Sequence, residues 1–140
     1  MKGTYALFIQ VPFDVEIVIG ALGRKSFRAG YYVYVGSAMG GLKERVRRHL
    51  EKKKRMHWHV DYLLTRARVV DFIFAEGRGE CEVARNLSSR LQPIEGFGSS
   101  DCECQTHLFY HPEISVLMSV TADAFKACGL KPHGREALGV

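Results

Sequence analysis

The sequence has 140 residues, of which 46% are hydrophobic and 25% charged, the length and balance of one globular domain rather than two. A chain of this size buries about 70% of the surface its unfolded form exposes, so it needs neither a disulfide nor a metal merely to fold. No apolar stretch is long enough to span a bilayer, and Met1-Lys2-Gly3-Thr4-Tyr5 does not read as a signal peptide. Membrane protein, secreted protein and disordered tail are poor descriptions, and the cytosol is the expected compartment.

Charge says more than size. Twenty Lys and Arg face 15 Asp and Glu, a net +5. Eight of the basic residues (Lys43, Arg45, Arg47, Arg48, Lys52, Lys53, Lys54 and Arg55) fall in one segment that holds only two acids, Glu44 and Glu51. The rest of the chain is close to neutral. Such a concentrated patch suits a phosphate-binding surface, and the plainer reading is a helix face kept basic for solubility.

In chain order, Gly3 to Val11 is apolar at both odd and even positions, the mark of an interior strand covered on both faces. Val15 to Ile19 is a second strand, followed by a glycine-rich basic turn from Gly20 to Gly30. Tyr31 to Val35 is a third strand, and Gly36-Ser37-Ala38-Met39-Gly40-Gly41 opens a helix expected from about Leu42 to Lys54. Leu42, Val46 and Leu50 form its buried stripe. Arg45 and His49, spaced i and i+4, stack beside that stripe and face the sheet. Lys43, Arg47, Arg48 and Lys52 point outward and, with Lys53, Lys54 and Arg55, are the expected nucleic-acid-binding set.

Further on, His57 to Thr65 reads as a short helix with Trp58, Tyr62 and Leu63 inside, and Val69 to Ala75 as a strand. Glu80 to Leu91 is a second long helix with Val83, Ala84 and Leu87 on its inner side. Thr106 to Tyr110 is a short edge strand, and Pro112 starts a terminal helix reaching about Cys128. Residues 1–128 form a single domain, and 129–140 form a poorly ordered C-terminal tail. This order predicts an α+β fold: a small, mostly antiparallel central sheet flanked by helices. Of the cysteines, Cys102-x-Cys104 with His107 could bind zinc, with Cys81 as a distant fourth ligand. The spacing is shorter than the usual structural pattern, which favours buried thiols.

Gly3-Thr4-Tyr5 and Tyr34-Val35-Gly36-Ser37-Ala38 resemble the two halves of the GIY-YIG nuclease signature. Arg45, with His49 one turn later, resembles the family's helical arginine and histidine. The resemblance runs from Gly3 to about Leu91. His57-Trp58-His59-Val60-Asp61-Tyr62 and Gly96-Phe97-Gly98-Ser99-Ser100-Asp101-Cys102 further resemble an archaeal branch of Uri-type endonucleases, which occur alone or fused to an endonuclease III.

The resemblance implies a DNA endonuclease in repair or recombination, hydrolysing phosphodiester bonds with one divalent cation, Mg2+ or Mn2+. It implies Tyr5 or Tyr34 as base, its phenol made useful by cationic neighbours such as Arg45 and Lys2. Arg45 would stabilise charge on the phosphate, and His49 would assist proton transfer or orient the tyrosine. Taken singly, Tyr5 and Tyr34 read as sheet tyrosines, Arg45 as a snorkelling arginine and His49 as a packing residue. Two departures stand out. The gap from Gly3 to Gly36 is long, which places an inserted strand between the signature halves, and Ser88 occupies the position of the family's metal carboxylate. Glu80 is then the expected metal ligand, with Glu82, Glu76 and Asp101 in reserve. Ser88 favours the alternative of a catalytically weak nucleic-acid-binding module; the zinc-stabilised interaction domain is a third.

Overall fold

The computed structural model describes residues 1–98 and 104–140. Among these described residues, eight strands and four α-helices follow in chain order: β1 (Gly3–Val11), β2 (Val15–Val18), β3 (Arg24–Phe27), β4 (Gly30–Ala38), α1 (Leu42–Leu50), α2 (His59–Leu63), β5 (Arg68–Glu76), α3 (Glu80–Ser88), β6 (Gln92–Pro93), β7 (Leu108–His111), α4 (Ile114–Ala127) and β8 (His133–Gly134). Six strands form one antiparallel sheet in the order β6-β7-β4-β1-β5-β8.

β1 lies inside that sheet, as its unbroken apolar run predicts. Tyr5, Leu7 and Ile9 point into one core with Leu42 and Val46 of α1 and Val60 and Leu63 of α2. Ala6 and Phe8 point into the opposite core with Val83, Ala84 and Leu87 of α3 and Leu117, Ala124 and Phe125 of α4. The chain is a three-layer α+β sandwich, because a strand apolar on both faces must be covered on both.

The insertion between β1 and β4 holds two strands rather than one. Residues 24–27, expected within a basic turn, form β3 and pair with β2 as a separate small sheet, with Ile17 opposite Lys25. Ile17 and Phe27 face the core while Arg24 and Ser26 face out, so the alternation of a half-buried strand was present beneath the basic composition. α1 stops at Leu50, a turn short of Lys54, because Glu51 is extended. β7 is not an edge strand, since β6 pairs along its outer side. The last dozen residues are ordered: β8 pairs with Ile73 and Phe74 of β5, and Leu138 is 9% exposed against the core.

The β1–β4 ladder joins the two signature tripeptides directly, with Tyr5 opposite Gly36 and Leu7 opposite Tyr34. A Cβ at Gly36 would lie 2.6 Å from the Tyr5 phenol oxygen, and one at Gly3 would run into the Ala75 carbonyl. Both glycines are therefore required by close approach. Gly36→Ala should destabilise the chain by about 1–3 kcal/mol by overpacking, whereas Gly40→Ala, which meets open space, should be near neutral. Urea unfolding of the two variants checks this, and equal midpoints would contradict it.

Candidate active site

β4 pairs with β7 only from Tyr31 to Tyr34; beyond that a single backbone bond joins the Val35 amide to the His107 carbonyl. The end of β4 is thus bound to β1 on one side and opens into a cleft on the other. This cleft holds about 310 Å3 and is walled by Tyr5, Tyr34, Arg45, Trp58, Glu80 and His107 among others. The structure brings Tyr5, Tyr34, Arg45 and Glu80, expected from separate elements, to one place.

Tyr5 is 1% exposed, and its hydroxyl lies 2.7 Å from His49 Nε2. His49 is 2% exposed and packs among the rings of Tyr5, Tyr34 and Trp58, with centroids 5.4, 6.2 and 5.8 Å away. It does not line the cleft itself but backs Tyr5. Burial among these rings disfavours the imidazolium and pushes His49 down to about 3, although Asp61 pulls the other way. The expectation that cations make the Tyr5 phenol more acidic does not hold. Burial raises its pKa well above the ordinary value, outweighing the charge and hydrogen bond of Arg45. Lys2 is exposed and is not among the charges that act on this phenol.

Arg45 donates from Nη1 to the Ser37 carbonyl at 2.9 Å, which ties α1 to the end of β4. Its guanidinium lies 4.4 Å from the Trp58 ring centroid, and that of Arg48 lies 4.5 Å from the same ring. Arg48 does not point freely outward as the helical periodicity suggests. It donates to both oxygens of the fully buried Asp61 at 2.9 and 3.0 Å, and Asp61 also accepts from the His57 and Trp58 amides. Burial would raise the Asp61 pKa, but these donors hold it below its ordinary value. Lys54 likewise turns inward, donating to the Arg48 and His49 carbonyls and closing the end of α1. Lys43, Arg47, Lys52, Lys53 and Arg55 remain exposed.

Glu80 opens α3. Its side chain is 13% exposed, with Oε1 3.6 Å from Arg78 Nε. Its Oε2 is buried with no hydrogen-bond partner. Thr4 sets this position: its hydroxyl donates to the Gly77 carbonyl and accepts from the Gly79 amide, pinning the turn before α3 to β1. Glu76 and Glu82 are exposed and do not line the cleft, and Ser88 spends its hydroxyl on the Ala84 carbonyl. Asp101 and Cys102 lie outside the described residues.

Three groups escaped the sequence reading. Trp58 is a platform for two guanidiniums, and Asp61 is the buried counter-charge; only their place in the resembling hexapeptide hinted at either. His59 accepts the Gly98 amide at Nδ1 and packs edge-on to Phe97, holding the loop at the rim. His57 packs edge-on to Trp58. Cys104 and His107, weighed with Cys102 as zinc ligands, and Cys81, weighed as a distant fourth, converge so that the ligand atoms of Cys81, Cys104 and His107 all lie within 4.8 Å of one another.

Residues 4–130 match the family described as "Domain of unknown function DUF123". The chain belongs to this family. No curated protein and no solved structure matches it. The match spans the strands and helices that build the cleft and extends past α4. Among the described residues, no helix is long and apolar enough to cross a membrane.

The buried histidine gives this DUF123 chain a pH-dependent stability. The folded value of His49 is about 3 against an ordinary 6.5, so below pH 6.5 the unfolded chain takes up a proton that the folded chain refuses. Stability is complete above that pH and falls as pH drops toward 3, by about 1.4 kcal/mol per pH unit for one such histidine. His59, also lowered by burial, acts in the same direction. Urea midpoints should fall between about pH 7 and pH 5, and His49→Gln should remove part of the slope. A midpoint that is flat over this range would contradict a buried neutral His49. Asp61→Asn should cost about 3 kcal/mol at neutral pH, because it leaves the Arg48 charge unpaired; the same unfolding experiment measures it.

Proposed function

We propose that this chain is a GIY-YIG-type endonuclease of the Uri-type branch, hydrolysing phosphodiester bonds in DNA with one divalent cation, Mg2+ or Mn2+, in repair or recombination. The observation that carries the reading is the cleft itself. Two tyrosines, an arginine and a carboxylate, brought from four elements of the sequence, share one wall system, with a neutral histidine bonded behind one tyrosine.

The donor set fits a hard cation. Glu80 Oε2 is a buried carboxylate oxygen with no hydrogen bond, and divalent magnesium takes oxygen ligands and keeps several waters. Glu80 would hold the ion, which would supply charge stabilisation to a phosphate oxygen and activation of a water.

The chain's own residues supply the rest. With its hydrogen on Nδ1, His49 accepts the Tyr5 O–H at Nε2, which leaves the lone pairs of the phenol oxygen to accept a hydrogen bond from the attacking water. Tyr5 with its raised pKa and His49 with its lowered one both stay neutral at neutral pH, so the pair orients that water and stores none of its charge. Asp61 alone pulls towards the imidazolium, and burial with the Lys54, Arg48 and Arg45 charges outweighs it. Arg45, held by Ser37 and Trp58, presents a planar, permanently charged donor to the phosphate. Lys43, Arg47, Lys52, Lys53 and Arg55 supply sequence-independent attraction for the flanking backbone.

Branched, nicked, single-stranded and duplex DNA, each with Mg2+ or Mn2+ and without, test the proposal. Cleavage should require the metal, disappear in Arg45→Ala, and fall at least a hundredfold in Tyr5→Phe and Glu80→Gln. Binding should survive Arg45→Ala and, on duplex DNA, weaken with salt at a logarithmic slope of about −4.5 if the five exposed cations each meet a phosphate. Salt-sensitive binding without cleavage of any substrate would instead identify a nucleic-acid-binding module. Cleavage that persists in Arg45→Ala would point to a contaminating nuclease and defeat the proposal.

A further inference from the structure

Beside the cleft lies a second donor set that the nuclease chemistry leaves unused, two of its members, Cys81 and His107, being part of the cleft lining. Cys81 stands in the first turn of α3, directly after Glu80, while Cys104 and His107 lie on the segment that runs into β7. Their ligand atoms lie within 4.8 Å of one another, though 23 residues separate the first cysteine from the second. A tetrahedral zinc with Zn–S of about 2.3 Å and Zn–N of about 2.0 Å sets its donors roughly 3.5–3.8 Å apart. Small side-chain rotations therefore close this set around one ion.

We infer that Cys81, Cys104 and His107 form a zinc site that clamps the start of α3 to the strand β7. The imidazole is already oriented for it. His107 Nδ1 lies 3.0 Å from the Val35 carbonyl, and a carbonyl only accepts, so Nδ1 carries the hydrogen and Nε2 the lone pair. That outer hydrogen bond to a backbone carbonyl is the usual support of a zinc-ligating histidine. The chemistry of the donors excludes the hard cation proposed at Glu80, since two sulfurs and a nitrogen select a borderline-soft metal while magnesium requires oxygen.

The clamp has a structural consequence. β7 pairs with β4, and the bond from the Val35 amide to the His107 carbonyl extends that contact, while α3 reaches β1 through Thr4 and the Gly77–Gly79 turn. A zinc ion across Cys81 and His107 joins these two walls and fixes the helix start that carries Glu80.

This inference goes beyond the nuclease reading and does not depend on it. Metal analysis of the full chain, purified without added metal or chelator, should find one zinc per molecule. Cys81→Ser, Cys104→Ser and His107→Ala should each lose it, whereas Cys128→Ser should keep it. Reconstitution with Co2+ should give visible d–d bands of tetrahedral intensity together with a sulfur-to-cobalt charge-transfer band in the near ultraviolet. That spectrum decides the matter on the unaltered chain even where a variant fails to fold. Zinc far below one per molecule together with a faint octahedral cobalt spectrum would overturn the site, as would zinc loss in Cys128→Ser equal to that in Cys81→Ser. A failure of DNA cleavage leaves this metal analysis standing.

Discussion

The hydrogen bond between Tyr5 and His49 is the constraint around which the cleft is built. It crosses from the central strand to α1 inside the core, with both partners almost wholly shielded from water. Its formation dictates Gly36, since any larger residue on β4 would displace the phenol. It dictates the neutral state of His49, since the surrounding rings offer no solvation to a cation. It also leaves His49 Nδ1 buried without a partner. An orphaned polar atom of that kind costs about 1–3 kcal/mol. Only three such side-chain atoms occur among the described residues: His49 Nδ1, Glu80 Oε2 and Asn86 Oδ1. One backs the cleft and one lies on its wall. A fold that carries two of its unsatisfied groups at the same place is spending stability there rather than gaining it, the pattern expected where chemistry rather than packing sets the residues.

The second constraint is electrostatic. Two guanidiniums about 4.5 Å from one indole would repel each other without a counter-charge. Asp61 resolves this by engaging Arg48 through both oxygens and the backbone through two further bonds. Arg48 is thereby neutralised and becomes structural, while Arg45, which meets the Ser37 carbonyl, the Trp58 ring and the Tyr5 phenol and no carboxylate, keeps its charge for the cleft. Two arginines three residues apart on one helix thus take opposite roles, decided by which of them meets the buried carboxylate. A cation over an indole contributes about 0.5–2 kcal/mol, enough to orient Arg45 but too little to trap it.

Periodicity recovered what burial alone controls. β1 reads as covered on both faces because its even and odd positions are both apolar, and α1 and α3 show their inner stripes for the same reason. What periodicity missed were features decided by single long-range partners. β3 was masked by Arg24 and Lys25, whose charge and place after Gly23 look like a turn. The tail was masked by its polarity, since two residues of backbone pairing and one buried Leu138 leave little trace in composition. Arg48 lies on the outward side of an ideal helix wheel, and Asp61, thirteen residues away on α2, draws it inward. The cleft residues were legible as a set because the tripeptides, the arginine and the histidine occur in a fixed order. The neutral state of His49 and the raised pKa of Tyr5 were not, because desolvation depends on rings contributed by three separate elements.

The two donor sets of the cleft also separate by hardness. Glu80 and Cys81 are adjacent in sequence, yet the first offers a carboxylate oxygen beside Arg78 and the second a thiol beside Cys104 and His107. Oxygen and sulfur donors rank cations in different orders, so neighbouring residues on one helical turn can serve two ions without competing for either. The arrangement also bears on Ser88. A carboxylate at position 88, about two turns beyond Glu80 at the far end of α3, would lie away from the Thr4-pinned turn, whereas Glu80 at the helix start is held by that turn and by whatever fixes Cys81. Moving the carboxylate to the first turn places it where the backbone is anchored to β1, and β1 is the strand that also carries Tyr5. The carboxylate and the phenol are then referenced to the same rigid element, which suits the proposed hydrolysis, in which the two groups would keep a fixed separation across a phosphate.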